Sequence, residues 1–95
     1  MGNLSSDLID AIKEAKAIGS DYAIAKRLGL KPQTISNYRK GRTQMSEETA
    51  VAVAAMLGRS LAMILVQLAA ERARIPEVAK TWKEIARILG RQRRG

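Results

Sequence analysis

The stretch Ser20-Asp-Tyr-Ala-Ile-Ala-Lys-Arg-Leu-Gly-Leu-Lys-Pro-Gln-Thr-Ile-Ser-Asn-Tyr-Arg-Lys-Gly41 decides how this chain folds. Ser20-Asp21 is an N-cap signal, because a short side-chain oxygen accepts from the unpaired N–H groups of a first helical turn. Tyr22 to Leu28 follow as a helix of about two turns. Gly29 ends it, since the residue past a helix often needs a left-handed backbone that glycine adopts at little cost. Leu30-Lys31 leave room only for a tight connection. Pro32 then opens a third helix at the position where its missing N–H would have been unpaired anyway. That helix runs through Lys40 to a second glycine stop, Gly41. Two short helices crossing steeply need a small residue at the contact, which Ala25 supplies, and Leu30 can plug the turn. Ile35 and Tyr38 are three apart, so both can face inward over Ala25. Gln33, Thr34, Ser36, Asn37, Arg39 and Lys40 are left on faces open to a partner.

Outward from this stretch, the helical pattern continues in both directions. Leu8, Ile9, Ile12, Ala15 and Ile18 give a first helix one apolar face, with Ser5, Ser6 or Asp7 as its cap and Gly19 as its stop. Beyond a polar loop from Arg42 to Met45, Ser46 caps a fourth helix whose first-turn Glu47 and Glu48 favour the positive helix end. Thr49 stands where a capping box would carry Glu or Gln, so no reciprocal bond is expected. Ala50, Val53, Ala54 and Leu57 recur at i, i+3, i+4 and i+7, a buried stripe, and Gly58 stops the helix. Ser60 begins a fifth helix, Leu61 to about Arg74, which Pro76 breaks. Its first half, Leu61 to Val66, is apolar all round and wants burial on every side. A sixth, Pro76 to Leu89, places Val78, Trp82, Ile85 and Leu89 at i, i+4, i+7 and i+11. Met45, Met56 and Met63 read as packing filler.

Composition agrees. Ninety-five residues, 46% of them apolar, suit one domain with a modest core. Phe is absent, so that core is made mostly of Ala, Leu, Ile, Val and Met, a palette that favours helix–helix seams. The expected fold class is all-α, a compact bundle of five or six short helices. Cys and His are both absent, which removes disulfides, the usual zinc ligands and the side chain best suited to proton transfer near neutrality. No glycine-rich phosphate loop is visible. The acids Asp7, Asp10 and Glu14 lie on the first helix with Lys13 and Lys16 and read as a self-paired, solvated face. An enzyme is not expected, nor a cofactor or small-molecule ligand. The first seven residues lack the basic and apolar blocks of a signal peptide. The longest apolar run, Ala50 to Leu57, is far too short to cross a bilayer. No membrane partner is expected, and the location is cytoplasmic, on the nucleoid of a bacterial host cell.

Charge is unevenly spread. The net is +8, from 17 basic and 9 acidic residues. Lys26, Arg27, Lys31, Arg39, Lys40 and Arg42 crowd the interval from 26 to 42 without one acid, and Arg91, Arg93 and Arg94 form a basic tail over 91–95. Such charge attracts polyanions through counterion release without specifying which. Amides and hydroxyls on the open face of the third helix add what a groove-reading helix requires. Amides pair with base edges, and Lys or Arg neutralises phosphates. RNA-reading modules use aromatic sheets or backbone-clamping loops, and neither is visible. Double-stranded DNA is therefore the expected partner.

At Ala25, Gly29, Leu30, Ile35 and Tyr38, and in the continuation Gly41 … Ser46 … Leu57-Gly58, the chain resembles the Cro and phage-repressor family of helix-turn-helix proteins, also called the xenobiotic-response-element type. The resemblance covers about residues 6–66. It implies a lambda-repressor-like DNA-binding domain with a C-terminal helical extension: a core over 1–66, with the helix-turn-helix at 20–41, and an extension over 67–95. By position it assigns base contact to Pro32, Gln33 and Asn37. Pro32 has no side-chain donor, so readout rests on Gln33 and Asn37, helped by Thr34 and Ser36. Lys40, Gly41 and Arg42 fall in the family's backbone-contacting loop, Arg39 joins them as a phosphate contact, and Lys31 replaces the usual cap and can serve a phosphate. The likeness is to short phage-related regulators, which implies a repressor acting on a palindromic operator. One short helix reads little sequence, whereas a two-fold pair reads two half-sites about 34 Å apart. A homodimer is thus expected, with Leu61, Ile64, Leu65, Leu68, Trp82 and Ile85 as its seam, although the fifth helix could instead pack between the core and the sixth. A protein-interaction module, such as an antitoxin or anti-repressor, is the competing reading.

Overall fold

The computed structural model describes residues 3–92. They form six helices: α1 (Leu4–Ala15), α2 (Asp21–Leu28), α3 (Pro32–Arg39), α4 (Glu47–Leu57), α5 (Leu61–Arg72) and α6 (Pro76–Gln92). No strand occurs among the described residues. The all-α expectation holds. No helix among them is long and apolar enough to cross a membrane.

Three caps stand where the sequence places them. Ser20, Ser46 and Ser60 each accept from the N–H three residues on, those of Ala23, Thr49 and Met63. Thr49 makes no reciprocal bond to the Ser46 N–H; its Oγ1 accepts from the Ser46 hydroxyl instead. Gly29 is left-handed at φ 70°, with Leu30 N–H donating to Ala25 C=O and Gly29 N–H to Lys26 C=O. This double closure satisfies the last carbonyls of α2 and turns the chain sharply into α3.

The two ends of α1 differ from expectation. Its cap is Asn3, whose Oδ1 accepts from Ser6 N–H at 2.9 Å. Ser5 and Ser6 are buried inside the first turn and serve other elements. Ser5 Oγ accepts from Met45 N–H at 3.1 Å, and Ser6 Oγ from Arg39 at 2.7 Å. At the other end α1 stops at Ala15, and Ala17, not Gly19, takes the left-handed backbone at φ 54°. The chain must reverse there so that Ile18, whose N–H donates to Lys13 C=O, can reach the core.

That core collects Leu8, Ile9, Ile12, Ile24, Ala25, Ile35, Tyr38, Met45, Ala50, Val53, Ala54, Ile64 and Leu68 from the first five helices and the loop before α4. Leu28 and Leu30 are half-buried against it. Ala25 is fully enclosed, and α2 and α3 are in contact. Helix α5 lies between this core and α6, and it is continuous across residue 66. Its expected role as a dimer seam is corrected at two positions: Ile64 and Leu68 are each 2% exposed and already spent on the monomer's own core. Leu61 and Leu65 are half-buried against the same core. Helix α6 packs on α5 and buries no residue completely.

Candidate nucleic-acid interface

Helix α3 is held by its apolar side. Ile35 is 1% and Tyr38 2% exposed, and burial raises the Tyr38 phenol above its ordinary value. The other faces remain available. Lys31, Pro32, Gln33, Lys40 and Arg42 are exposed, and Thr34, Ser36 and Asn37 are half-exposed. Gln33 and Asn37 stand one turn apart, and Gln33 Nε2 donates to Asn37 Oδ1 at 3.2 Å. The bond orients both amides. It leaves the Asn37 NH₂ and the Gln33 carbonyl free, and a second lone pair on Asn37 Oδ1. A donor–acceptor pair of this kind matches the N6/N7 edge of adenine in a major groove.

The cations divide into two groups. Lys31, Lys40 and Arg42 make no ion pair among the described residues. Lys31 precedes α3 without capping it through its side chain. These three can meet a polyanion without first giving up an internal partner. Arg39 is different, and its expected phosphate contact is corrected. Its Nε and Nη2 grip both oxygens of Asp21 at 3.0 and 2.8 Å, Nη2 also reaches Asp10 at 2.7 Å, and Nη1 donates to the Ser6 carbonyl and hydroxyl. A planar guanidinium suits this forked geometry, and every face of the fork is taken. The Arg39 hydrogen bond, with Lys13 adding at 3.2 Å, holds the Asp21 carboxyl at about 2 despite some burial, while the same acids raise Arg39. Arg39 therefore acts as a clamp that sets the angle of α3 against α1 and α2.

The α1 acids change partners for the same reason. Asp10 pairs with Arg39 across the α1–α3 contact, and Lys13 pairs with Asp21 of α2, not with acids of its own helix. Neither link is visible as a short-range spacing, since the pairs lie 29 and 8 residues apart. Asn3 was also missed. Its Nδ2 donates to Tyr38 C=O at 2.7 Å, tying the start of α1 to the end of α3.

On α6 the apolar residues do not all find cover. Trp82 is half-buried, while Val78, Ile85 and Ile88 are 41, 37 and 43% exposed, and Ile75, just before the helix, is 58% exposed. A groove of about 300 Å³ is lined by Glu77, Val78, Thr81, Trp82 and Ile85. Of the basic tail over 91–95, Arg91 belongs to α6, and Arg93 and Arg94 lie outside the described residues.

A family model described as Helix-turn-helix matches residues 13–64, more than half of the 95-residue chain. The match runs from the second half of α1 to Ile64 within α5 and includes the whole of α2, α3 and α4. Neither the curated proteins nor the solved structures yielded a match.

Proposed function

Because the chain belongs to the Cro- and repressor-type helix-turn-helix family of DNA-binding regulators, we propose that it is a sequence-specific repressor of phage or prophage origin, reading double-stranded DNA with α3 in the major groove. The observation that carries this reading is the Gln33–Asn37 amide pair, bonded side chain to side chain on the open face of a helix whose other face is locked into the core. Gln33 and Asn37 contact bases, with Thr34 and Ser36 beside them, and Lys31, Lys40 and Arg42 contact phosphates on either side. Such a protein is a binding module and not an enzyme.

The operator is palindromic and the protein a homodimer. Support comes from α6 and the residue just before it: Ile75, Val78, Trp82, Ile85 and Leu89 alternate three and four residues apart, the spacing of a two-helix seam. Three of the five are well exposed in the monomer. In this division residues 1–66 carry DNA reading and the extension over 67–95 carries pairing, through Trp82 and Ile85 in place of the buried Ile64 and Leu68.

Selection from a random duplex pool, followed by sequencing, tests the proposal. One motif with two-fold symmetry should be enriched, its half-sites one helical turn apart, about 34 Å. A pool that stays unenriched refutes it. The same α6 stripe would serve a protein-interaction module; a chain that light scattering finds monomeric at micromolar concentration, and that enriches no duplex, favours that reading.

A further inference from the structure

Next to Gly41, two residues past the end of α3, a groove of about 320 Å³ brings Arg42 and Gln44 of the α3–α4 loop against Glu71 and Arg72 at the end of α5 and Arg74 just beyond it. All three arginines are exposed and none is ion-paired among the described residues. The single acid is already spent. Glu71 Oε2 accepts from Leu4 N–H at 2.6 Å, where a carboxylate suits the positive start of α1, and Oε1 accepts from Gln44 Nε2 at 2.9 Å. Three cations against one carboxylate leave the groove with a net charge of +2.

The groove is also held in register with α3. Gln44 Nε2 donates to Leu68 C=O at 2.9 Å, and Arg72 Nη1 donates to Gln44 Oε1 at 3.4 Å. Asn3, the residue before Leu4, donates to Tyr38 C=O, so the Glu71–Leu4 bond meets the end of α3 through one peptide link. The end of α5 is thus coupled to the end of α3 through side chains, although 33 residues separate Arg39 from Arg72. Exposed guanidinium groups without an ion pair, beside the loop that follows α3, are suited to phosphate oxygens, which they can meet in a forked geometry.

We propose that this groove is a second sugar–phosphate site: the DNA strand met by Lys40 and Arg42 continues across it, and Arg72 and Arg74 hold its next phosphates. The inference rests on the reading of α3 as the major-groove helix and extends its footprint to the α5–α6 junction. Nothing about base preference changes, since phosphate contacts position the protein without specifying sequence.

The test compares four versions of the full chain on an enriched duplex and on a scrambled one, across a salt series. In Arg72→Gln/Arg74→Gln, affinity should fall by the same factor on both duplexes, and the slope of log K against log salt should flatten by about two per protomer, one for each lost contact. Arg72→Lys/Arg74→Lys should keep most of the slope. The control Lys80→Gln/Arg91→Gln makes the same change of net charge on α6 and should leave the slope near wild type. Equal thermal melts of all four exclude a folding defect, and replacing the flanking phosphates by methylphosphonates should weaken the wild type but not the Gln variant. A wild-type slope in Arg72→Gln/Arg74→Gln overturns the second site while leaving the recognition helix intact, and so does equal flattening in the α6 control. A wild-type chain that binds neither duplex overturns the functional reading and this site with it.

Discussion

Replacing Arg39 by Met removes the clamp while keeping an apolar stem of similar reach, and the structure sets the size of the effect. Arg39, with a smaller share from Lys13, holds the Asp21 carboxyl at about 2 against an ordinary 3.8. Fully expressed, that difference corresponds to roughly 2.4 kcal/mol. Asp21 is 39% exposed, however, and keeps its Lys13 pair, so solvent screening and that remaining partner cut the share lost with Arg39 to about 1 kcal/mol. The Asp10 pair is 60% exposed on the acid's side and adds a few tenths at most, about 0.3 kcal/mol. The bonds to buried Ser6 add about 0.5 kcal/mol. Arg39→Met should therefore lower stability by about 1.5–2 kcal/mol near neutral pH, on the order of 10 °C in Tm for a domain of this size. The pH dependence is the sharper signature. A carboxyl whose folded value is depressed contributes stability above its unfolded value and loses it as pH falls towards the folded value. Asp21's share is complete above about pH 5 and mostly gone by about pH 2.5. Urea titrations followed by circular dichroism, at pH 6 and pH 2.5 and constant ionic strength, should find the gap between wild type and variant narrowed by about half at the lower pH. A gap of equal size at both pH values, or one below about 0.3 kcal/mol at pH 6, would show that the Arg39 pairs are ordinary surface charge.

Asn37→Ala should relax discrimination at one base pair by roughly 1–3 kcal/mol in a competition assay, with other positions of the site unaffected. Lys40→Ala should weaken binding alike on every duplex and flatten the salt slope by about one, readable from fluorescence anisotropy. Ala17→Gly should stabilise the fold by about 0.5–1 kcal/mol, because it relieves a left-handed alanine at an exposed turn; a thermal melt checks it, with Gly19→Ala expected to be near neutral. Ile85→Lys places a charge on the exposed α6 stripe and should shift light scattering from dimer to monomer with little change in melting, while binding to a two-half-site duplex falls more than binding to one half-site.

Much of the recognition unit was legible in the chain because its determinants are local. Serine caps, the Gly29 corner, Pro32 at a helix start and the Ile35–Tyr38 pair act over three to five residues, the range within which backbone hydrogen bonds close. The polar set left over by that packing, Gln33, Thr34, Ser36 and Asn37, followed directly. What periodicity could not resolve was competition between tertiary contacts. Ser5 and Ser6 have the chemistry of caps, yet burial against Met45 and Arg39 claimed them and left capping to Asn3. Arg39 looks like its basic neighbours in sequence, and only the crossing of α3 over α1 and α2 brings Asp10 and Asp21 within its reach.

The division falls at the range of the interactions. By itself the sequence determined an all-helical chain of five or six short helices, their order, the tight corner before α3 and the open polar face of that helix, since each depends on neighbours along the chain. Tertiary structure alone decided which cations stay free, which aliphatic residues of α5 are spent inside the monomer, and that the end of α5 comes beside the loop after α3. Those outcomes depend on groups dozens of residues apart competing for the same partners, and a linear pattern carries no record of that competition.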